Sequence, residues 1–193
     1  MHDEALNNAL PGDVLEIGDP RLREVSAPVV EFLSPALVHE TRVLHEALAN
    51  FRVQHGFGRA IAAPQFGFPK RFIALHLPHW QSAPFTAYNP VITWSSPETF
   101  TLWDDCMSFP FLLVKVKRHA SINLRYQNER GDVVEIANLA PADAELIQHE
   151  VDHLDGILAV DRAVDRQSLV SRSTFESMRD YFQSQVDSPA RAP

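Results

Sequence analysis

The sequence predicts a single α+β domain built on antiparallel β-sheets. Helical patterns occur at three places along the chain, and short β-branched or aromatic runs lie between the first two. Strands that follow one another without intervening helices favour antiparallel pairing. The length of 193 residues fits one domain, and an apolar fraction of 45% suffices for a buried core. We expect residues 1–12 and 186–193 to be tails.

Capping residues indicate where the first two predicted helices begin and end. The first helix is expected from about residue 35 to residue 54, because a serine N-cap and a proline precede apolar residues at helical spacing, and Gly56 follows them. A second helix opens at Pro141 and ends at Gly156. A third helical pattern covers about 167–185, and we expect it to pack back on the core.

Strand signals fill the chain between the first two helices. Three β-branched or aromatic runs, punctuated by proline and serine, cover residues 71–77, 85–94 and 98–103. Apolar and polar residues alternate over 120–126, a turn containing glycine follows, and a valine-rich run covers 133–136. This last arrangement predicts a β-hairpin. The short strands supply the sheets of the α+β fold.

Charge and composition exclude several classes of protein. The net charge is −8, whereas a DNA-binding protein needs a basic face. No run approaches the roughly 18 apolar residues of a membrane span, and the first residues lack the features of an export signal. The single cysteine fits a reducing, cytoplasmic setting. Residues 162–193 contain five arginines against four acidic residues, which gives little support to docking near the ribosome exit region.

Residues 149–153 form an H-E-x-x-H motif within the second predicted helix. A helix places His149 and His153 about 40° apart around its axis and about 6 Å apart along it, so that two imidazoles can bind one metal ion. Glu150 lies near the same face and can act on a metal-activated water without being a ligand. A chance match on a surface helix is the alternative, because such short motifs also arise at random.

Two histidines leave a metal site incomplete, and a third ligand must come from another part of the chain. The downstream histidine that one group of zinc proteases uses is absent from residues 154–160. Cys106, the single cysteine, would complete a Cys-His-His site with one position left for water. An inert buried thiol is the competing interpretation, since free cysteines are often buried.

Three segments resemble the peptide deformylase family, in order and at similar separations. They are Gly58-Arg59-Ala60-Ile61-Ala62-Ala63-Pro64-Gln65, Asp104-Asp105-Cys106-Met107-Ser108 and Gln148-His149-Glu150-Val151-Asp152-His153-Leu154-Asp155-Gly156. The corresponding family patterns are G-x-G-[LI]-A-A-P-Q, E-G-C-L-S and Q-H-E-x-D-H-L-x-G. The resemblance covers residues 13–165, and three ordered motifs are far more specific than any one of them alone.

The resemblance implies antiparallel sheets packed around a central helix that carries H-E-x-x-H, with a further C-terminal helix. It implies removal of the N-formyl group from the N-terminal methionine of nascent peptides by a metal-activated water. Cys106, His149 and His153 would hold one divalent ion, usually Fe²⁺ in the family, with Zn²⁺ or Ni²⁺ as substitutes. Glu150 would pass the proton of the water to the leaving amine.

The resemblance also assigns residues around the N-formylated peptide substrate. The Gln65 side-chain amide and the backbone N–H of Met107 would stabilise the oxyanion that develops from the formyl oxygen. Residues beside the bound peptide would be Arg59, Ala60 and Asp105. Ala60 and Asp105 stand where the family pattern has glycine, so their side chains are expected to narrow or charge the cleft.

Two further departures concern the surroundings of the metal site. Asp104 replaces a glutamate of the family pattern, and we expect it to support the site by pairing with Arg118. Residues 141–143, Pro-Ala-Asp, replace a glycine and bulky aliphatic residues, some of which line the methionine pocket in the family. Smaller and more polar residues there would enlarge or loosen that pocket. Hydrolysis of a formamide depends on the retained residues, whereas selectivity for methionine depends on the altered ones.

Three alternatives stay open at this point. The first is a related metallohydrolase that acts on a different N-formyl or N-acyl amine. The second is a non-catalytic metal-binding relative, against which the retained Glu150 argues, because a structural metal site needs no base. The third is an H-E-x-x-H endopeptidase, which leaves the segments around Cys106 and Gln65 without a role.

Overall fold

The computed structural model describes residues 13–187, within which eight strands form two antiparallel sheets. In chain order the strands are β1 (Ala60–Ala62), β2 (Phe72–Leu75), β3 (Phe85–Ser95), β4 (Thr99–Asp105), β5 (Leu112–His119), β6 (Ile122–Gln127), β7 (Val133–Ile136) and β8 (Leu169–Ser171). The larger sheet has the spatial order β1-β2-β3-β6-β7, and the smaller has the order β4-β5-β8. The expected α+β fold with antiparallel sheets is confirmed.

Four α-helices accompany the sheets in the described part of the chain. They are α1 (Pro35–His55), α2 (Pro141–Leu154), α3 (Arg172–Ser177) and α4 (Arg179–Gln183). The start of α1 is capped as expected, since Ser34 Oγ accepts a hydrogen bond from the Leu37 N–H at 3.4 Å. Gly56 ends α1 at φ 74°, a left-handed conformation that glycine adopts at little cost. No helix within residues 13–187 combines the length and the apolar character needed to cross a membrane.

The predicted strand regions are confirmed. The first three runs correspond to β2, β3 and β4, and the predicted hairpin is the β6–β7 pair, with Leu124 opposite Ile136. β1 is too short to be recognised in the sequence, and its three residues are all buried. It pairs with β2 and carries the first of the family-like segments to the edge of the larger sheet.

The C-terminal helical pattern differs from the structure. Residues 169–171 form β8, because the edge of β5 offers backbone groups that an extended segment satisfies, with Leu113 opposite Val170. The remaining helical part is divided between α3 and α4. Phe175 and Phe182 nevertheless pack against Trp103, as expected of a segment that returns to the core.

The predicted tails at 1–12 and 188–193 lie outside the described residues. Two residues at the start of the predicted C-terminal tail contact the smaller sheet instead of extending from it. Val186 packs beside the aromatic cluster around Trp103, and Asp187 accepts a hydrogen bond from the Thr101 N–H at 2.8 Å.

The central helix α2 contacts both sheets and is buried along most of its length. Its apolar residues, such as Ile147 and Val151, join the core of the larger sheet. It also buries a set of polar or charged side chains, namely Asp143, Glu145, Gln148, His149, Glu150, Asp152 and His153. Because buried ionisable groups require compensating partners, these side chains mark α2 as the helix to inspect for a functional site.

Gly156 allows the N-terminal segment to pack against the end of α2. Its φ is 72°, and a Cβ atom at this position would lie 2.5 Å from the Arg23 carbonyl oxygen. A side chain therefore cannot be accommodated without moving backbone. The approach lets the Ser26 N–H donate to the Leu154 carbonyl at 2.8 Å, which satisfies one of the last carbonyls of the helix.

Candidate metal centre and cleft

Three potential metal ligands from two distant segments meet beside α2. Cys106 directly follows β4, and His149 and His153 lie one turn apart on α2. The distance from Cys106 Sγ to His153 Nε2 is 3.2 Å, and the distance from His153 Nε2 to His149 Nε2 is 3.1 Å. All three side chains are buried, and their ligand atoms lie within 4.8 Å of one another. The structure thus brings together the three residues that the sequence predicted as ligands.

The donor set fits a single divalent cation. Tetrahedral bonds of about 2.0–2.1 Å to nitrogen and about 2.3 Å to sulfur separate neighbouring ligand atoms by about 3.3–3.6 Å. The two observed separations are a few tenths of an ångström shorter than this range. Imidazole and thiolate donors suit Fe²⁺, Zn²⁺ or Ni²⁺, whereas Mg²⁺ and Ca²⁺ prefer oxygen ligands.

Asp104 connects the candidate ligands to a buried ion-pair network. Its Oδ2 accepts a hydrogen bond from His149 Nδ1 at 2.9 Å and another from Arg118 Nη2 at 3.1 Å. Burial opposes ionisation, but the charges of His149 and Arg118 lower the pKa of Asp104 to about 2. Arg118 also pairs with Asp152. A carboxylate held at Nδ1 leaves the Nε2 atom of His149 turned toward the thiol, which is the usual support for a metal-binding histidine.

Glu150 lies beside the candidate ligands and lines a cleft together with Cys106 and His149. Its side chain is buried, and its Oε2 atom has no hydrogen-bond partner among residues 13–187. Burial raises the pKa of Glu150 to about 7, although the neighbouring charge of His149 acts in the opposite direction. A carboxyl group that titrates near neutral pH is suited to accept and return a proton during a reaction.

The amide of Gln65 has a fixed orientation. Its Oε1 atom accepts a hydrogen bond from the Ala62 N–H at 2.9 Å, and this contact turns the Nε2 atom toward the segment that carries the thiol. There Nε2 donates to Ser108 Oγ at 3.2 Å and lies 3.5 Å from Cys106 Sγ. Met107, which follows the cysteine, lines the cleft together with Gln65. The two predicted oxyanion donors therefore come from segments on the same side of the cleft.

Gln65, Cys106, Met107, His149 and Glu150 line one cleft of about 710 Å³. The wall formed by α2 presents residues at helical spacing, namely Ala142, Glu145, Leu146, His149 and Glu150. The rest of the lining includes the end of β4, and α3 contributes Phe175 and Glu176. A cleft of this size is typical of sites that bind a small molecule or a few residues of a peptide.

A family model described as polypeptide deformylase matches residues 11–168 of the chain. The chain belongs to this family. The peptide deformylase of Thermotoga neapolitana is 36% identical over 155 residues, which cover 80% of this chain and 88% of the relative. The peptide deformylase of Phenylobacterium zucineum is 35% identical over 152 residues, which cover 77% of this chain and 85% of the relative. The family predicted from the three segments is confirmed, and with it the expectation of a hydrolase.

Solved structures of the deformylase family share the fold. The crystal structure of the Thermotoga maritima peptide deformylase gives a TM-score of 0.70 at 33% identity, covering 81% of this chain and 99% of the other. A peptide deformylase from Synechococcus elongatus, crystallised in complex with actinonin, gives a TM-score of 0.72 at 28% identity, with 83% of each chain covered. The arrangement of sheets around α2 is therefore the family fold.

An ion pair lies in the cleft wall of this deformylase family member. Arg59 precedes β1, and its Nη2 donates to Glu145 Oε1 at 2.8 Å while its Nη1 donates to the Ala142 carbonyl at 2.9 Å. Glu145 is buried, and Arg59 is partly exposed. Burial and the charge of Asp104 raise the pKa of Glu145 to about 8, although the charge of Arg59 acts against this rise. Of the two members of this pair, only Arg59 was predicted as a site residue from the sequence, with the peptide as its neighbour.

The two glycine replacements occupy different positions in the cleft. Ala60 is buried in β1, and its methyl group adds to the wall without charge. Asp105 accepts a hydrogen bond from Arg172 Nη2 at 3.0 Å. Arg172 lies over the Phe57 ring, with its guanidinium carbon 4.9 Å from the ring centroid. The carboxylate of Asp105 is thus partly neutralised by an arginine of α3, and its expected role beside the substrate stays a prediction.

The first turn of α2 differs in part from the expectation for residues 141–143. Pro141 and Ala142 line the cleft, whereas Asp143 does not belong to its lining. Asp143 Oδ2 instead accepts hydrogen bonds from Trp80 Nε1 at 3.0 Å and His79 Nε2 at 2.9 Å. The Asp143 carboxylate is therefore directed away from the cleft, and Glu145 is the acidic residue that the first two turns of α2 place in the cleft wall.

Sequence reasoning missed several residues that contact the predicted site. Glu145 precedes His149 by four residues, a spacing that places both on one helix face and that could have identified it. Asp152 forms an ion pair with Arg118. It was missed because it occupies one of the two unspecified positions of the H-E-x-x-H motif. Arg172 carried no signal, because its contact with Asp105 depends on how the C-terminal segment returns to the core.

Proposed function

We propose that this chain removes the formyl group from the N-terminal methionine of newly made peptides. The observation that carries the proposal is the convergence of Cys106, His149 and His153 beside a cleft in which Glu150 keeps a carboxylate oxygen without a hydrogen-bond partner among residues 13–187. The relatives named peptide deformylase support the reaction. The reaction adds water to the formyl carbon, breaks its bond to nitrogen and releases formate and a free amine.

Cys106, His149 and His153 would hold one divalent cation, and we propose Fe²⁺ as the native ion with Zn²⁺ or Ni²⁺ as substitutes. When bound, such an ion acidifies water and polarises a carbonyl oxygen. Asp104 contributes by keeping the His149 ring in one orientation through its hydrogen bond to Nδ1. The charges of His149 and Arg118 in turn hold Asp104 ionised, so this network supports the ligand set.

Glu150 acts as the general base and acid of the proposed reaction. Its carboxylate accepts a proton from the attacking water and gives it to the amine nitrogen as the carbon–nitrogen bond breaks. The pKa of about 7 suits this double role, since both the ionised and protonated forms are accessible near neutral pH. Because the carboxylate lies in a buried environment, the proton is not lost to bulk solvent between the two steps.

The oxyanion that develops on the formyl oxygen needs hydrogen-bond donors. We assign this role to the Gln65 side-chain amide and to the backbone N–H of Met107. The contact between Gln65 and the Ala62 N–H supports the assignment, because it fixes the donor end of the amide toward Cys106 before substrate arrives. In this role the Nε2 group would exchange its contact with Cys106 Sγ or Ser108 Oγ for a hydrogen bond to the oxyanion.

A different N-formyl amine is the second candidate substrate, and the Arg59–Glu145 pair favours it, since methionine pockets are otherwise apolar. A reducing, cytoplasmic location agrees with a free cysteine in the ligand set. Association with the ribosome exit region stays a prediction. The proposed partner is the N-formylated peptide itself.

The function is tested by a deformylation assay on anaerobically purified, Fe²⁺-loaded protein with formyl-Met-Ala. We expect formate release at a rate that depends on the metal and that is lost in Glu150→Gln. A casein digestion tests the endopeptidase alternative at the same time. Hydrolysis of casein without formate release would contradict the proposal, and so would the absence of any turnover in protein that carries one ion per chain.

A further inference from the structure

The wall of the cleft next to the metal ligands is charged. Glu145 lies one helical turn before His149 on the same face of α2, and the Arg59 guanidinium bridges Glu145 and the Ala142 carbonyl. The pair therefore lines the cleft one helical turn from His149, where a substrate with its formyl group at His149 and Glu150 would place its side chain. The same cleft holds all five residues.

A charged wall and the thioether of methionine are poorly matched. A methionine side chain laid against the pair removes water from the guanidinium and returns only dispersion contacts. A side chain with an oxygen acceptor returns a hydrogen bond to a charged donor, which is stronger than a neutral one. The wall therefore binds a side chain with a hydrogen-bond acceptor more favourably than a thioether.

Arg59 is the member of the pair that a substrate would meet. Its side chain is 31% exposed, whereas that of Glu145 is 6% exposed. A guanidinium carries five N–H groups, and the hydrogen bonds of Arg59 to Glu145 and Ala142 use two of them. The surface that this wall offers to the cleft is therefore a hydrogen-bond donor.

We propose that Arg59 and Glu145 determine which first side chain the site accepts, and that they extend its substrates to formylated amines whose side chain carries a hydrogen-bond acceptor. Asparagine, glutamine and their polar analogues are the substrate class that this chemistry fits. Glu145 positions the guanidinium, and Arg59 contacts the substrate. This inference rests on the proposed deformylation, because it concerns the side-chain subsite of the same cleft.

The test compares two formyl peptides of similar length, formyl-Gln-Ala and formyl-Met-Ala, on the full metal-loaded chain. The variant is Arg59→Leu/Glu145→Leu, in which both members of the pair are replaced together, because replacing one would break the ion pair and leave the other side chain without it. The measured quantity is the ratio of kcat/KM for the glutamine peptide to kcat/KM for the methionine peptide. We expect this ratio to fall at least fivefold in the double variant.

The matched control is Glu40→Leu/Lys70→Leu. This pair has a similar ion-pair distance of 2.7 Å and side chains 19% and 33% exposed, and it lies outside the cleft lining. The ratio is expected to stay at the wild-type value in this control. A fall of less than fivefold in the Arg59/Glu145 variant, or an equal fall in the control, would overturn the inference.

Two further measurements keep the inference testable if the double variant does not fold. The wild-type chain should hydrolyse formyl-Gln-Ala with a higher kcat/KM than formyl-norleucyl-Ala, whose side chain has no acceptor, and the opposite order would overturn the inference. Calorimetric binding of the products Gln-Ala and norleucyl-Ala should give the same order. If no formyl peptide is hydrolysed, the proposed function fails, whereas product binding still decides the inference.

Discussion

The two halves of α2 carry different chemistry although they belong to one buried helix. The C-terminal half places His149, Glu150 and His153 beside Cys106, and each of these residues matches the family segments. The N-terminal half carries Glu145 in the cleft wall, paired with Arg59. The comparison teaches that the proposed reacting centre keeps the residues of the family segments, whereas the proposed pocket for the substrate side chain, one helical turn away, departs from them.

The largest expected effect concerns the C-terminal half. Glu150→Gln keeps the size of the side chain and removes its ability to exchange a proton, so turnover of formyl-Met-Ala should fall by about 10²–10⁴-fold. Metal content, measured by elemental analysis, should remain at the wild-type value. Glu98→Gln, an exposed position between β3 and β4, is the control and should retain full activity. Equal turnover in Glu150→Gln and wild type would show that the C-terminal half of α2 does not supply the proton transfer.

The second largest effect concerns the hydrogen bond from His149 to Asp104, which supports the C-terminal half of α2. Asp104→Asn preserves shape but weakens the hydrogen bond that orients the imidazole, and metal affinity should fall by about 10–100-fold. Competition with a chromogenic chelator measures this affinity. Asp105→Asn is a neighbouring control, because the carboxylate of Asp105 pairs with Arg172 instead of a proposed ligand. If both variants bind metal equally well, Asp104 does not support the site.

A third prediction concerns the N-terminal half of α2 and the pH dependence of the free energy of unfolding. The pKa of Glu145 is raised to about 8, so the folded chain holds a proton there that the unfolded chain releases near pH 4.5. The contribution of Glu145 to the free energy of unfolding should therefore decrease as pH rises from about 4.5 to about 8.

Urea unfolding at several pH values, compared between wild type and Glu145→Gln, measures this contribution. We expect the stability of wild type to decline relative to the variant across that window. Glu46→Gln on α1, where the side chain is exposed, should show no such divergence. Parallel pH profiles for wild type and Glu145→Gln would contradict the raised pKa.

The smallest effect concerns the side of the N-terminal half that faces away from the cleft. Asp143→Asn retains an acceptor for Trp80 but loses a charge in the first turn of α2, and the free energy of unfolding should fall by about 0.5–1 kcal/mol. The glutamine-to-methionine ratio of kcat/KM should not change, because Asp143 does not line the cleft. A changed ratio would place this side chain among the specificity determinants.

Local signals were sufficient for α1 and α2. The cap at Ser34, the glycine at position 56 and the proline at position 141 define α1 and α2 because their effects act within one turn. Helical periodicity also placed His149 and His153 on one face. These features depend on residues that are close in sequence, so the sequence alone predicts them.

Contacts between residues far apart in the chain were harder to predict from the sequence. Cys106 lies 47 residues before His153, and only its place in a family-like segment singled it out. The Arg59–Glu145 pair joins residues 86 positions apart, and nothing local predicts it. Leu169 and Val170 satisfy both helical and extended patterns, and the available edge of β5 decided in favour of a strand. Tertiary partners, which periodicity does not reveal, determined each of these outcomes.

X-ray absorption spectroscopy of the Fe²⁺- or Zn²⁺-loaded chain tests the central claim most directly. The claim is that Cys106, His149 and His153 are the protein ligands of one ion. We expect a first shell with one sulfur at about 2.3 Å and two imidazole nitrogens at about 2.0–2.1 Å, and we expect the sulfur to vanish in Cys106→Ser. A shell without sulfur in the wild-type protein, or one unchanged in Cys106→Ser, would contradict the account.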